Sequence, residues 1–185
     1  MAPHKTALHE SAYRRREVIM GAILIIVGTI LAALIVLPRK AAAMTATVAR
    51  DPNSIDSIIA ENAKRYTVDP ALIRAFIKVE SDFNPNAVNP SDPSYGLMQI
   101  TPMLAEDYGI VRDYHNPTET EIAMIKVPST NVRIGTWQIS RLLGDYIFEI
   151  AVQMYNVGIT GYKKGVRASD YLAKITRYYN EYKSH

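Results

Sequence analysis

Between Glu17 and Pro38 the chain runs for twenty residues without a charge, VIMGAILIIVGTILAALIVL (Val18–Leu37). At about 1.5 Å rise per residue, a helix of that length reaches roughly 30 Å, the thickness of a bilayer's hydrocarbon core. Buried helices of globular domains seldom run so far without a polar stripe. A cleaved secretory leader is the rival reading, because Ala41, Ala42 and Ala43 resemble a small-residue cleavage site. The apolar region of a leader, however, is about 7–15 residues long. Arg39 and Lys40 also stand where a cleavage region is ordinarily uncharged. The expectation is a single transmembrane helix over 18–37, preceded by a short basic tail over 1–17. Arg14, Arg15 and Arg16 before the run outweigh Arg39 and Lys40 after it, which favours a cytoplasmic N-terminus and an external C-terminal part. Gly21, Gly28 and Ala32 form a weak small-residue stripe for a partner helix.

The charge is divided along the same line. Residues 1–50 hold seven Lys/Arg and two acids, whereas residues 51–185 hold fourteen and sixteen. The basic character belongs to the membrane-proximal segment, and the remainder offers no basic stripe for phosphates, so a nucleic-acid partner is not expected. With 48% hydrophobic and 21% charged residues the composition is that of a globular protein. The absence of cysteine removes thiol nucleophiles, disulfides and thiolate metal sites together. His4, His9, His115 and His185 are scattered, and no His-Glu-x-x-His or acidic calcium loop occurs, so no metal and no cofactor are expected.

Residues 38–53 show no sustained apolar period and read as a linker; a domain is expected over 54–185. Ile55, Ile58, Ile59 and Ala63 keep helical spacing up to about Tyr66. Asp69-Pro70 pairs an N-cap with proline at the first helical position. The helix that follows is apolar at Leu72, Ile73, Ala75, Phe76, Ile77 and Val79, wider than one stripe, and is expected to be central and buried. Pro85, Pro90, Pro93 and Pro102 then forbid a helix across the next stretch. Thr101-Pro102 repeats the start signal, and Gly109 suits the stop of a short helix. Further helices are expected at about 131–143, 146–156 and 169–182, with no convincing strand: a mostly α domain.

The central helix ends in Glu80. A helix C-terminus carries partial negative charge, so a carboxylate there is disfavoured and its pKa moves up. Val79 and Phe83 would desolvate it further in the same direction. Three roles fit Glu80: a solvated surface charge, a structural cap, or a working acid kept protonated near neutral pH, as cleavage of a glycosidic bond requires.

Glu80-Ser81, Phe83, Pro85, Ala87, Gly96-Leu97-Met98-Gln99 and Thr101-Pro102 resemble, in order and spacing, the pattern of the soluble lytic transglycosylase (SLT) family, which has a lysozyme-like fold. The resemblance continues through Pro128, Asn131 and Gly135, then Ala151 and Tyr155-Asn156-Val157-Gly158, to Tyr171 and Ile175, and covers about Ser54 to Tyr182. It implies that Glu80 is the single catalytic acid, cutting the bond between N-acetylmuramic acid and N-acetylglucosamine. Glu80 would then turn base and close a 1,6-anhydro ring. By the same resemblance Ser81 would support the site, and Met98 and Gln99 would line the sugar groove. Tyr155 would hydrogen-bond and orient Glu80, while Asn156 would bind sugar or hold its loop. Core packing for Met98 and a turn role for Asn156 are the competing readings. Most glycosidases need a second carboxylate; Asp82 and Asp92 are nearest but read as turn residues. The family is thought to use the substrate's N-acetyl group instead.

Two departures from the family stand out. Asp92-Pro93-Ser94-Tyr95 replaces the usual loop before Gly96, with Tyr95 a candidate stacking platform, and Gln153-Met154 replaces two alanines before Tyr155. The partner expected is peptidoglycan, met by a membrane-tethered enzyme facing the periplasm and cell wall. The setting is an envelope-spanning complex or a bacteriophage virion that inserts during entry. A hydrolytic muramidase and a non-catalytic glycan-binding subunit are the alternatives.

Overall fold

The computed structural model describes residue 51 and residues 53–184. The run expected to span the membrane, the basic tail and most of the linker lie outside them. Among the described residues no helix is long and apolar enough to cross a membrane. Seven helices and one minimal strand pair follow in order: α1 (Ile55–Tyr66), α2 (Pro70–Ser81), β1 (Val88–Asn89), β2 (Ser94–Tyr95), α3 (Pro102–Tyr108), α4 (Glu119–Lys126), α5 (Pro128–Asp145), α6 (Phe148–Lys163) and α7 (Ser169–Lys183). The expectation of a mostly α domain holds.

The helix starts are made by the residues that signalled them. Ser54 accepts from the Ser57 N–H, Asp69 from the Ala71 N–H and Thr101 from the Leu104 N–H, each satisfying a donor the first turn leaves open. Pro70 and Pro102 occupy the first helical positions, where the missing N–H costs nothing. Gly109 ends α3 at φ 91°, a left-handed conformation that glycine adopts without steric cost.

Helix α2 is the centre of the domain. Leu72, Ile73, Ala75, Phe76 and Ile77 are all buried, which leaves only a narrow polar stripe, Arg74 and Lys78, on its middle turns. They pack with Ile58 and Ile59 of α1, Val132, Ile134 and Ile139 of α5, Val152 of α6 and Ile175 of α7 in one continuous core. Full burial of a side chain such as Phe76 contributes roughly 1.5–3 kcal/mol. Helix α7 runs along α2, tied at one end by the Tyr179 hydroxyl donating to Asp69 (2.9 Å) and at the other by Tyr171 meeting Glu80. That antiparallel pairing brings the end of α2 to the beginning of α7.

Three expectations are corrected. A helix not foreseen, α4, forms at 119–126, held by a reciprocal capping box between Thr118 and Glu121. Glu121 also accepts from the Arg112 N–H (3.1 Å), and these hydrogen bonds hold its carboxyl below the usual carboxylate range. Helix α6 runs on to Lys163, but with a break at Gly158 (φ 72°, ψ 157°), close to where the helix was expected to stop. Finally, the proline-rich stretch contains a short antiparallel pair, Val88 opposite Tyr95 and Asn89 opposite Ser94, with a further bridge from Tyr95 to Ile100. Two-residue strands are too short to show alternation in a sequence.

Candidate active site

Glu80 is the penultimate residue of α2, and the chain leaves the helix through Asp82 (φ 52°) and Phe83 (φ 62°), both left-handed. Two consecutive non-glycine residues in that region are costly and turn the chain abruptly away from the carboxyl. Lys78, two residues earlier on the same helix, pairs with Asp82 rather than with Glu80. The Glu80 carboxyl is therefore left among protein atoms without a cation, and burial pushes its pKa up to about 7, against a smaller downward pull from the Tyr171 hydrogen bond. At neutral pH such a group is present in both forms, able to give a proton and to take one.

The hydroxyl that meets Glu80 is that of Tyr171, on the first turn of α7, which donates to Oε1. Tyr155 was expected in that role, and the structure corrects this. Its hydroxyl donates instead to the Met98 carbonyl (2.9 Å), so Tyr155 fastens the Gly96–Gln99 loop to α6. The Phe76 ring holds both phenols edge-on, its centroid 4.7 Å from that of Tyr155 and 6.3 Å from that of Tyr171. Burial, reinforced by the charge of Glu80, raises the pKa of both tyrosines well above the ordinary value, so they remain neutral donors.

Glu80, Gln99, Tyr155 and Asn156 line one open polar cleft of about 250 Å³ together with Asn89, Asp92, Ser94 and Thr101. The last four were not among the expected site residues. Ser94 donates to Gln99 Oε1 (2.8 Å), and the Gln99 amide donates to the Gly96 carbonyl (3.0 Å), fixing a side chain whose backbone sits at φ 46°. Asn156 also borders a second opening of about 380 Å³, walled by Arg167, Ala168, Ser169, Asp170 and Tyr171. The two hollows share Asn156; Glu80 lines the first, and Tyr171, which meets it, lines the second.

Met98 and Tyr95 do not line the cleft, and Ser81 meets the loop from behind it. Met98 is 0% exposed and packs onto Gly135, whose missing side chain makes room for it. It is a core residue and does not line the groove. Ser81 turns its hydroxyl to the Leu97 carbonyl (2.9 Å), joining the end of α2 to the loop behind the cleft. Tyr95 stacks against the Lys126 ammonium (5.2 Å) and packs on the core, so it offers no platform in the cleft. The loop's position is set by Asn131, fully buried, which donates to the carbonyls of Tyr95 (2.7 Å) and Ile125 (3.0 Å) and accepts from the Met98 N–H (2.7 Å). A side chain at Gly96 would come within 2.6 Å of that amide.

Tyr171 was placed by sequence only on a closing helix. Nothing in local pattern distinguishes it from the other tyrosines of α7, because its partner is 91 positions away. Among the described residues no group of three or more acidic or histidine side chains gathers as a metal site.

The membrane-bound lytic murein transglycosylase E of Buchnera aphidicola subsp. Acyrthosiphon pisum is 39% identical over 94 residues, 50% of this chain and 41% of the relative. The membrane-bound lytic murein transglycosylase C of Actinobacillus pleuropneumoniae serotype 5b is 33% identical over 90 residues, 49% of this chain and 24% of the relative. That of Photorhabdus laumondii is 29% identical over 128 residues, 64% of this chain and 35% of the relative. The chain thus spans less than half the length of these relatives. Among solved structures, an inactive mutant of lytic transglycosylase Slt from Pseudomonas aeruginosa is similar, with a TM-score of 0.48 and 23% identity over 64% of this chain and 20% of that one. Residues 57–177, more than half of the chain and holding α2, the cleft loop and the start of α7, match the family described as "Transglycosylase SLT domain". With that match over more than half of its length, the chain belongs to the SLT transglycosylase family.

Proposed function

We propose that this chain is a peptidoglycan lytic transglycosylase in which Glu80 serves first as acid and then as base. The observation that carries the reading is a carboxyl with a pKa near 7, hydrogen-bonded by Tyr171 and set in a polar cleft. The protonated Glu80 gives its proton to the oxygen linking N-acetylmuramic acid to N-acetylglucosamine, and the C1–O bond breaks as the 4-hydroxyl leaves. The substrate's N-acetyl oxygen shields C1 meanwhile. The Glu80 carboxylate then takes the proton of the muramic 6-hydroxyl as that oxygen bonds to C1, closing the 1,6-anhydro ring. The proton count on Glu80 is restored and no water is consumed.

In this reading Tyr171 holds the acid in line, and Gln99, Asn156 and Ser94 present hydrogen-bonding groups to the sugars. Tyr155, Ser81, Met98 and Tyr95 act by shaping the loop. One observation favours a second reading, a hydrolytic muramidase: Asp92 lines the same cleft and offers a carboxylate that could position a water. Digestion of purified cell walls followed by mass analysis of the products decides between them. Anhydro ends are expected; reducing ends would assign hydrolysis, and no release at all would leave a glycan-binding subunit. Glu80→Gln should lower cleavage at least 10²-fold, since general acid catalysis contributes roughly 10²–10⁴-fold.

Anchoring belongs to the same proposal. The relatives are described as membrane-bound, and the uncharged run over 18–37 is long enough to hold the chain in a membrane with residues 51–185 facing the wall. Tethering would confine cutting to wall within the linker's reach, which suits a local opening made for an envelope complex or an entering virion.

A further inference from the structure

Helix α7 carries the tyrosine that meets Glu80, yet it begins without a side-chain cap: its N-cap residue is Ala168, which has nothing to offer the first turn. The Ala168 N–H is satisfied from another helix. Gln153 Oε1 of α6 accepts from it at 3.1 Å, while Gln153 Nε2 donates to the Glu149 carbonyl at 3.0 Å. The side chain is 8% exposed, so the amide is fixed at both ends in a largely dry setting where each bond counts. The Ala168 carbonyl in turn accepts the first helical bond of α7, from the Leu172 N–H (2.9 Å), and Tyr171 lies within that same turn. Two positions beyond Gln153 on α6 is Tyr155, whose hydroxyl holds the loop on the other side of the cleft. An alanine at 153, the residue the SLT pattern has there, could not reach Ala168.

We propose that Gln153 is a positioning residue for the reaction proposed above, a strut between α6 and α7 that sets where the Tyr171 hydroxyl meets Glu80. Helix α7 would otherwise be free to slide or fray at its first turn, since helix ends are held by their caps. The groups that face Glu80 are Tyr171 from α7 and Tyr155 from α6, with Asp92 in the same cleft; on its own helix Lys78 is engaged by Asp82. Of these, Tyr171 alone donates a hydrogen bond to the carboxyl. A strut that moves Tyr171 therefore changes Glu80's titration as well as its aim.

The test is a double-mutant cycle on the full chain in detergent micelles, read by ¹³C titration of the Glu80 carboxyl and by turnover on purified wall glycan. Gln153→Met keeps the length and removes the acceptor. It should move the Glu80 midpoint up by about half a pH unit or more and lower kcat about three- to ten-fold, with KM within about two-fold. In a Tyr171→Phe background Gln153→Met should add nothing, because the strut acts only through that hydroxyl. Additive effects, or an unmoved midpoint in a folded Gln153→Met chain, overturn the inference. If Gln153→Met does not fold, Gln153→Ala carries the same expectations. The titration needs no turnover, so a parent that shows the expected coupling but cuts no wall glycan overturns the proposed reaction and not the strut.

Discussion

Glu80 illustrates how one position in a helix sets a chemistry. Below pH 4.5 the acid is neutral in both folded and unfolded chains; as pH rises, the unfolded chain ionises first, and the folded one only near 7. A raised folded pKa means that the stability present at low pH is lost as pH climbs through that window, and is level above it. Glu80→Gln lacks this titration, so its stability relative to the parent should improve between pH 5 and pH 8, by on the order of 1–3 kcal/mol. Urea melts of both proteins at the two pH values measure it, and an equal difference at both would show that the carboxyl is not desolvated. Tyr155 behaves otherwise. Because its hydroxyl satisfies the Met98 carbonyl and not the acid, Tyr155→Phe strands a buried acceptor and should cost about 1–3 kcal/mol of stability. A melt indistinguishable from the parent's would mean that the Met98 carbonyl finds another donor.

At the level of elements, the cleft is a consequence of α5 meeting the Gly96–Gln99 loop. Asn131 and Gly135, one turn apart on the same helix, accept the loop in different ways: one by hydrogen bonds to Met98 and to Tyr95 at the loop's start, the other by having no side chain. A Cβ at Gly135 would lie 2.6 Å from Met98 Sδ and 2.9 Å from Met98 Cβ, and while the sulfur end of that side chain can swing away, its root cannot without moving the loop. Gly135→Ala should therefore destabilise the domain by about 1–3 kcal/mol, as overpacking of a filled core does. It should also lower wall cleavage, because Met98 sits between the core and Gln99. Loss of stability with full activity would show that the loop's position does not matter to the site. The helix the sequence reading passed over, α4, was legible in Thr118-x-x-Glu121, a capping-box pattern obscured by how short the helix is.

For the molecule as a whole, the described residues build their own core, with Phe76, Ile77 and Ile134 fully buried. A fragment of residues 51–185 should accordingly stay in solution and keep wall-cleaving activity, whereas the full chain should resist extraction from membranes by alkaline carbonate. Release of the full chain by carbonate would remove the anchor from the proposal while leaving the enzyme. A reporter fused after His185 should be active only outside the cytoplasm.

By itself the sequence determined what is local. Asp69-Pro70 and Thr101-Pro102 start helices because their side chains and ring act within one turn, and the apolar width of α2 places it in the core because only the narrow Arg74–Lys78 stripe is left for water. Glu80 was legible for the same reason: the end of a helix and its charge are facts of neighbouring residues. The tertiary structure alone decided which tyrosine holds the acid, since Tyr171 lies 91 residues from Glu80 and Tyr155 lies 57 from the carbonyl it serves. It alone decided that Met98 is core, because the space it fills is an absence at Gly135. Hydrogen bonds and cavities depend on distance in space, and only packing α6 and α7 against α2 sets those distances.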